Sequence, residues 1–154
     1  TSKKVYGFRA PRFQFKNLSL LKNIGLKYDS STNPTFIPNP KNAFKKRKLF
    51  SVNGVYEIPV STTPVFRLPL FWLAFRNFGL SYAKMCTKFC FYDSGYAMLL
   101  FHPWEFIDLN MFKLPFYIKR NSGKKLEEML DEYIKWCLNK GYKFETVKEY
   151  LRLS

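Results

Sequence analysis

A chain of 154 residues is long enough for one domain with its own core. Hydrophobic residues make up 47% and aromatics 19%, with 17 Phe and 10 Tyr, which excludes a disordered chain because disorder needs low hydrophobicity. The formal charge of +15, from 26 basic and 11 acidic residues, favours anionic partners such as nucleic acid, acidic glycans or an anionic membrane surface, and says nothing about fold.

In chain order, Val5–Phe8 reads as a short strand, stopped by Pro11. Leu18, Leu20, Leu21 and Ile24 fit one face of a short helix, with Asn17 as a cap and Gly25 as a stop. Leu26–Tyr28 is a second short strand, running into Asp29-Ser30-Ser31. Residues 32–54 form a long irregular connection with Pro34, Pro38, Pro40 and Gly54. It carries the basic run Lys45-Lys46-Arg47-Lys48, which suits a localisation signal, a phosphate patch or simply a solvated loop.

Val55–Val60 is a third strand. Pro69–Phe78 reads as a helix ended by Gly79, with Tyr82–Phe91 able to continue as helix. Asp93-Ser94-Gly95 is a turn, and Tyr96–Phe101 is a nearly continuous apolar run suited to a strand buried on both faces. The last segment, residues 122–154, is helical. Leu126, Met129, Leu130, Tyr133, Ile134, Cys137 and Leu138 recur at helical spacing as far as Gly141, and Thr146 caps a short terminal helix.

The odd count of three cysteines, Cys86, Cys90 and Cys137, does not suggest a disulfide framework and favours a reducing, cytoplasmic setting. Cys86 and Cys90 can share a helix face. With one histidine in the chain, a zinc site there needs carboxylates or a partner, and small buried hydrophobes are the simpler reading. No signal peptide is apparent. The most apolar window, Val65–Phe75, is interrupted by Arg67 and Pro69 and falls short of a ~20-residue membrane span. The chain starts at Thr1 without a Met, as a processed product or a piece of a longer protein would.

Strands alternating with helices argue for an α/β sheet or barrel with largely parallel strands, whose chemistry collects at strand C-terminal ends. Three such ends carry candidates: Arg9, Asp29 and the only histidine, His102. A histidine works as general acid or base near neutral pH, a carboxylate at its ring fixes the tautomer, and an arginine holds a second carboxylate ionised. The bland alternative is a core histidine bonded to backbone, with two structural ions.

Five stretches then fall in a fixed order. They are Gly7-Phe8-Arg9-Ala10-Pro11, Gly25-Leu26-Lys27-Tyr28-Asp29-Ser30-Ser31, Tyr56-Glu57-Ile58-Pro59-Val60-Ser61, Phe66-Arg67-Leu68-Pro69, and Leu100-Phe101-His102-Pro103-Trp104-Glu105. With these the chain resembles the C-terminal half of a polysaccharide deacetylase, or NodB-homology, domain, in the branch carrying YDSS and HPWE motifs. The resemblance implies a partial, distorted β/α barrel, and a hydrolase that removes acetyl groups from an N-acetylated sugar or glycan with the help of a divalent metal, usually zinc. It implies that His102 is the general acid, Asp29 its charge partner, and Arg9 the residue that orients the base carboxylate. Trp104, Glu105 and Pro11 would line the substrate site.

The departures are equally specific. The family's Asp-Asp pair and His-x-x-x-His motif are absent: the four Asp are never adjacent, and no second histidine exists. The glycine-rich run that precedes Phe-Arg-Leu-Pro in the family is missing as well. The chain is therefore expected to span, over residues 1–154, only the C-terminal part of one domain. It would bind no metal alone, be inactive alone, and need its N-terminal half, a partner chain or self-association. Competing readings are a catalytically inactive glycan-binding remnant and a basic nucleic-acid-binding protein.

Overall fold

The computed structural model of the chain describes residues 4–15, 17–36 and 39–154; Thr1 and Pro38 lie outside them. The chain divides into two compact units, Thr1–Val60 with Phe144–Ser154, and Ser61–Lys143. Among the described residues it is an α/β fold with a four-stranded mixed open sheet and five α-helices. No closed barrel is formed by these strands.

The sheet belongs to the first unit. Strands β1 (Gly7–Phe8), β2 (Tyr28–Asp29), β3 (Phe50–Val52) and β4 (Val55–Glu57) lie in the order β1-β2-β4-β3. β1 and β4 each pair parallel to β2, with Phe8 opposite Asp29 and Asp29 opposite Glu57. β1 is an edge strand and carries Gly7 because the Tyr28 ring lies over it; a Cβ there would fall on that ring. α1 (Leu18–Asn23) stops where Gly25 takes φ 81°, and Leu26 N–H closes it on the Leu21 carbonyl at 2.9 Å. Of the apolar set expected to form its buried face, only Leu21 is buried; Leu20 and Ile24 are exposed.

The connection over residues 32–54 is more ordered than its prolines suggest. Pro40–Phe44 is a 3-10 turn, and β3 pairs antiparallel with β4. Asn53 (φ 53°) and Gly54 (φ 82°) make the two-residue loop between them, with the double positive φ that a tight hairpin turn of type I′ requires. α5 (Val147–Tyr150) is capped as expected: Thr146 Oγ1 accepts from Glu149 N–H at 3.3 Å, while Glu149 Oε2 accepts from Thr146 N–H at 2.7 Å.

The second unit is helical. α2 (Trp72–Ser94) is broken at Gly79, whose φ 81° and ψ −173° leave a helix on either side, so the expected stop at Gly79 and the expected restart both occur. α3 (Phe116–Lys119) is short, and α4 (Lys124–Asn139) is the amphipathic helix read from the sequence. Leu70, Phe75, Ala83 and Cys86 pack with Leu126, Met129, Tyr133 and Cys137 of α4 to form the core. Complete burial of a side chain such as Phe75 contributes roughly 1.5–3 kcal/mol. All three cysteines are buried as free thiols.

Tyr96–Phe101 corrects one expectation. It is not a strand, and most of it is only half-buried. Its polar backbone groups find other partners: Met98 N–H donates to Ser61 Oγ at 2.7 Å, and the Leu100 carbonyl accepts from Trp72 N–H at 2.9 Å. Apolar composition supplied a partly buried face, with Ala97, Leu99 and Phe101 against the core, but no neighbouring strand to pair with. No helix among the described residues is long and apolar enough to cross a membrane.

Candidate functional site

Two clusters of chemically capable side chains stand out among the described residues, one in each unit. In the first, successive parallel strand ends deliver Arg9, Asp29 and Glu57. The alternation along β4 buries Val55 and Glu57 and leaves Tyr56 exposed, so the strand's own period turns a carboxylate inward beside Asp29. Ser31 Oγ donates to Asp29 Oδ1 at 2.7 Å and accepts Ala10 N–H at 2.8 Å. Thr32 N–H donates to Glu57 Oε1 at 2.8 Å.

Arg9 reaches over this network. Its Nε donates to the Ser30 carbonyl at 2.9 Å and its Nη2 to Ser30 Oγ at 2.6 Å, while Ser30 Oγ donates onward to the Ile58 carbonyl at 2.6 Å. Asp29 and Glu57 are almost fully buried, at 1% and 2% exposure. Burial, and then a hydrogen bond with Asp29, push the Glu57 carboxyl up to about 7, against the downward pull of Thr32 N–H. Burial lowers the Arg9 guanidinium, against the opposing pull of Asp29, Tyr28 and Glu57. Two buried carboxyls thus face each other here, with Glu57 the one that burial holds protonated to about 7.

The second cluster is built on the His-Pro-Trp-Glu box. Pro103–Phe106 is a 3-10 turn with His102 at its N-cap. Proline at the first position starts the turn, and the three-residue spacing brings Glu105 back over His102. Glu105 Oε1 accepts His102 N–H at 2.7 Å and lies 2.8 Å from His102 Nδ1. Glu105 is fully buried, and so is Arg76 of α2, whose Nε stands 3.6 Å from Glu105 Oε2. Arg76 Nη2 donates to the Ile118 carbonyl at 2.5 Å, and its guanidinium lies over the Trp72 ring at 5.1 Å and the Trp104 ring at 6.0 Å.

The imidazole itself is open. The His102 side chain is 41% exposed and stacks on Trp104, with ring centroids 5.4 Å apart and planes 20° apart. Trp72 meets both rings edge-on at 5.6 and 5.2 Å. Burial raises the Glu105 carboxyl, against its bonds to His102 and the charge of Arg76, and burial lowers Arg76 against the charge of Glu105.

Of the residues expected from sequence, Arg9 and Asp29 come together in the first unit, and His102, Trp104 and Glu105 in the second. Pro11 opens the exposed turn Pro11–Phe13. Glu105, expected to shape the substrate site, sits behind the imidazole. Glu57, Arg76 and Trp72 were not singled out. Glu57 had a signal, since strand alternation puts it on the face of Val55. Arg76 had one too: Trp72, Phe75 and Arg76 share an apolar helix face at spacings of three and four. The basic run at 45–48 is largely exposed, with Lys46 Nζ 4.9 Å over the Phe50 ring.

The zinc implied by the family resemblance finds no ligand set among the described residues, where no group of three or more His, Cys, Asp or Glu could hold a metal. Comparison with protein-family models, with curated proteins and with solved structures gives no match to this chain.

Proposed function

We propose that this chain is the acid-histidine half of a polysaccharide deacetylase-type hydrolase, inactive alone, acting on an N-acetylated sugar or glycan. The observation that carries the reading is the state of the only histidine: exposed on one face, stacked on Trp104, and backed at Nδ1 by a buried carboxylate. That is the environment a proton donor needs. In the reaction, water adds to the acetyl carbonyl, the C–N bond breaks, and His102 gives its proton to the departing amine nitrogen, leaving acetate and a free amino sugar. Arg9 takes the role the family gives it, orienting the base carboxylate. The base and the zinc ligands are assigned to residues outside these 154.

In this reading the open sheet is a segment of an incomplete β/α barrel. The edge position of β1 supports it, because an unpaired edge asks for a neighbour from a missing half, a partner chain or a second copy. A polypeptide supplying the Asp-Asp and His-x-x-x-His motifs, combined with this chain and zinc, is expected to release acetate from a chitooligosaccharide, and His102→Ala to abolish that release. Unchanged release by the His102→Ala complex would remove the catalytic assignment. Zinc-dependent release by the isolated chain would remove the half-site assignment.

The exposed Trp104–His102 stack favours a second reading, a glycan-binding remnant that uses the ring faces as a sugar platform. It predicts glycan binding lost in Trp104→Ala and no acetate release in any combination.

A further inference from the structure

The family resemblance assigns the carboxylate behind His102 to Asp29. The geometry points elsewhere: we propose that Glu105, held in place by Arg76, is the positioning residue that fixes His102 as its Nδ1–H tautomer and leaves Nε2 as the atom that carries the proton to and from the reacting group. This deepens, and rests on, the deacetylase reading of the same site.

The case begins with the backbone. Glu105 Oε1 is anchored by His102 N–H at 2.7 Å, so the carboxylate cannot swing away from the ring without breaking the turn's own bond. From that anchor it meets Nδ1 at 2.8 Å. A carboxylate oxygen only accepts, so a neutral imidazole in this position must place its proton on Nδ1. Nε2 then holds the lone pair when the ring is neutral and the transferable proton when the ring is charged.

The other carboxylate oxygen explains Arg76. Glu105 Oε2 has no hydrogen-bond partner, and neither do Arg76 Nε and Nη1, yet both side chains are fully buried. A buried carboxylate without a neighbouring cation would take up a proton, and as a neutral acid it would compete to donate to the ring. Arg76 supplies the cation at 3.6 Å, and its own fixing is thorough: Nη2 on the Ile118 carbonyl, two tryptophan rings beneath the guanidinium, and Asn121 Nδ2 donating to its backbone carbonyl at 2.7 Å. The turn is tied from the far side as well, since Gly123 N–H donates to the Glu105 carbonyl at 2.9 Å. Arginine, carboxylate and imidazole therefore form a line from a buried charge to an open ring edge.

Because the chain has one histidine, long-range ¹H–¹⁵N NMR of the intact chain reads its tautomer without assignment. At a pH where the ring is neutral, the expected result is a protonated Nδ1 and a bare Nε2. Arg76→Met with Glu105→Leu replaces the buried pair by apolar side chains of similar size, a change that often preserves folding, and is expected to abolish the Nδ1–H preference. Glu105→Gln keeps an acceptor oxygen and is expected to retain it. A wild-type ring protonated mainly on Nε2, or an Nδ1–H preference that survives in the double variant, overturns the proposal. Acetate release is scored separately. An intact tautomer effect alongside release indifferent to His102→Ala would sink the deacetylase reading and leave the Arg76–Glu105–His102 line standing.

Discussion

Asp29 and Glu57 stand opposite each other on two parallel strands, both buried, and burial with the neighbouring Asp29 raises the Glu57 carboxyl to about 7. In the unfolded chain Glu57 titrates near its ordinary value of 4.5; in the folded chain it keeps its proton to about 7. Below the first value both states are protonated and the contribution is fully present. Between the two, the unfolded state releases a proton that the folded state retains, so stability falls as pH rises. The loss across that window is up to about 3 kcal/mol. Urea unfolding at about pH 5 and about pH 8 measures it. Glu57→Gln, which mimics the protonated side chain, should flatten the slope and be relatively more stable on the alkaline side. A slope unchanged by Glu57→Gln would show that Glu57 does not hold its proton above the ordinary range.

Gly7 exists for the ring of Tyr28. Gly7→Ala should cost about 1–3 kcal/mol through overpacking, because the new methyl falls on the ring face. The cost should shrink when Tyr28 is already alanine, a coupling that a double-mutant cycle reads directly. Equal costs in both backgrounds would place the effect elsewhere.

Gly79 presents the opposite case. A Cβ there meets nothing within 4 Å, yet φ 81° with ψ −173° is a region nearly closed to L side chains. Gly79→Ala should therefore destabilise by about 1–3 kcal/mol with no steric partner whose truncation rescues it. Thermal or urea unfolding tests this, and a neutral result would mean that α2 straightens through residue 79 at no cost.

Thr87 of α2 and Tyr133 of α4 share a buried hydrogen bond of 2.6 Å. Tyr133→Phe should cost about 1–3 kcal/mol by stranding the threonine hydroxyl. Adding Thr87→Val should recover part of that loss, because the stranded group is then gone. If the second change makes matters worse, the two hydroxyls are not each other's main partner.

The helices were the legible part. The run from Leu126 to Leu138 repeats at 3.6 and is long enough for the period to decide, and Gly25, Gly79 and Gly141 each mark an end by taking a conformation other residues avoid. The sheet was harder, since its strands are only two or three residues long and carry little periodicity. Tyr96–Phe101 shows the converse, because greasiness reports burial and a strand needs a hydrogen-bonding neighbour. At the site, the sequence put His102 beside a carboxylate in the same box, but the box's folding back on itself through Glu105 is a property of the turn. Glu57 and Arg76 were hidden for one reason: charged residues are expected outside, and here each has a buried partner of its own cluster.

The hairpin loop also sets a clock. Asn53-Gly54 is exposed at the tip between β3 and β4, and Asn53 Nδ2 donates to Ser19 Oγ at 3.3 Å. An asparagine followed by glycine is the pair most prone to cyclise and lose its amide nitrogen as ammonia. The isoaspartate product would lengthen the backbone of a two-residue loop by one carbon, replace the Ser19 donor by a carboxylate, and lower the net charge by one. Chemical ageing of this protein should begin at that tip, as an acidic species with an altered turn.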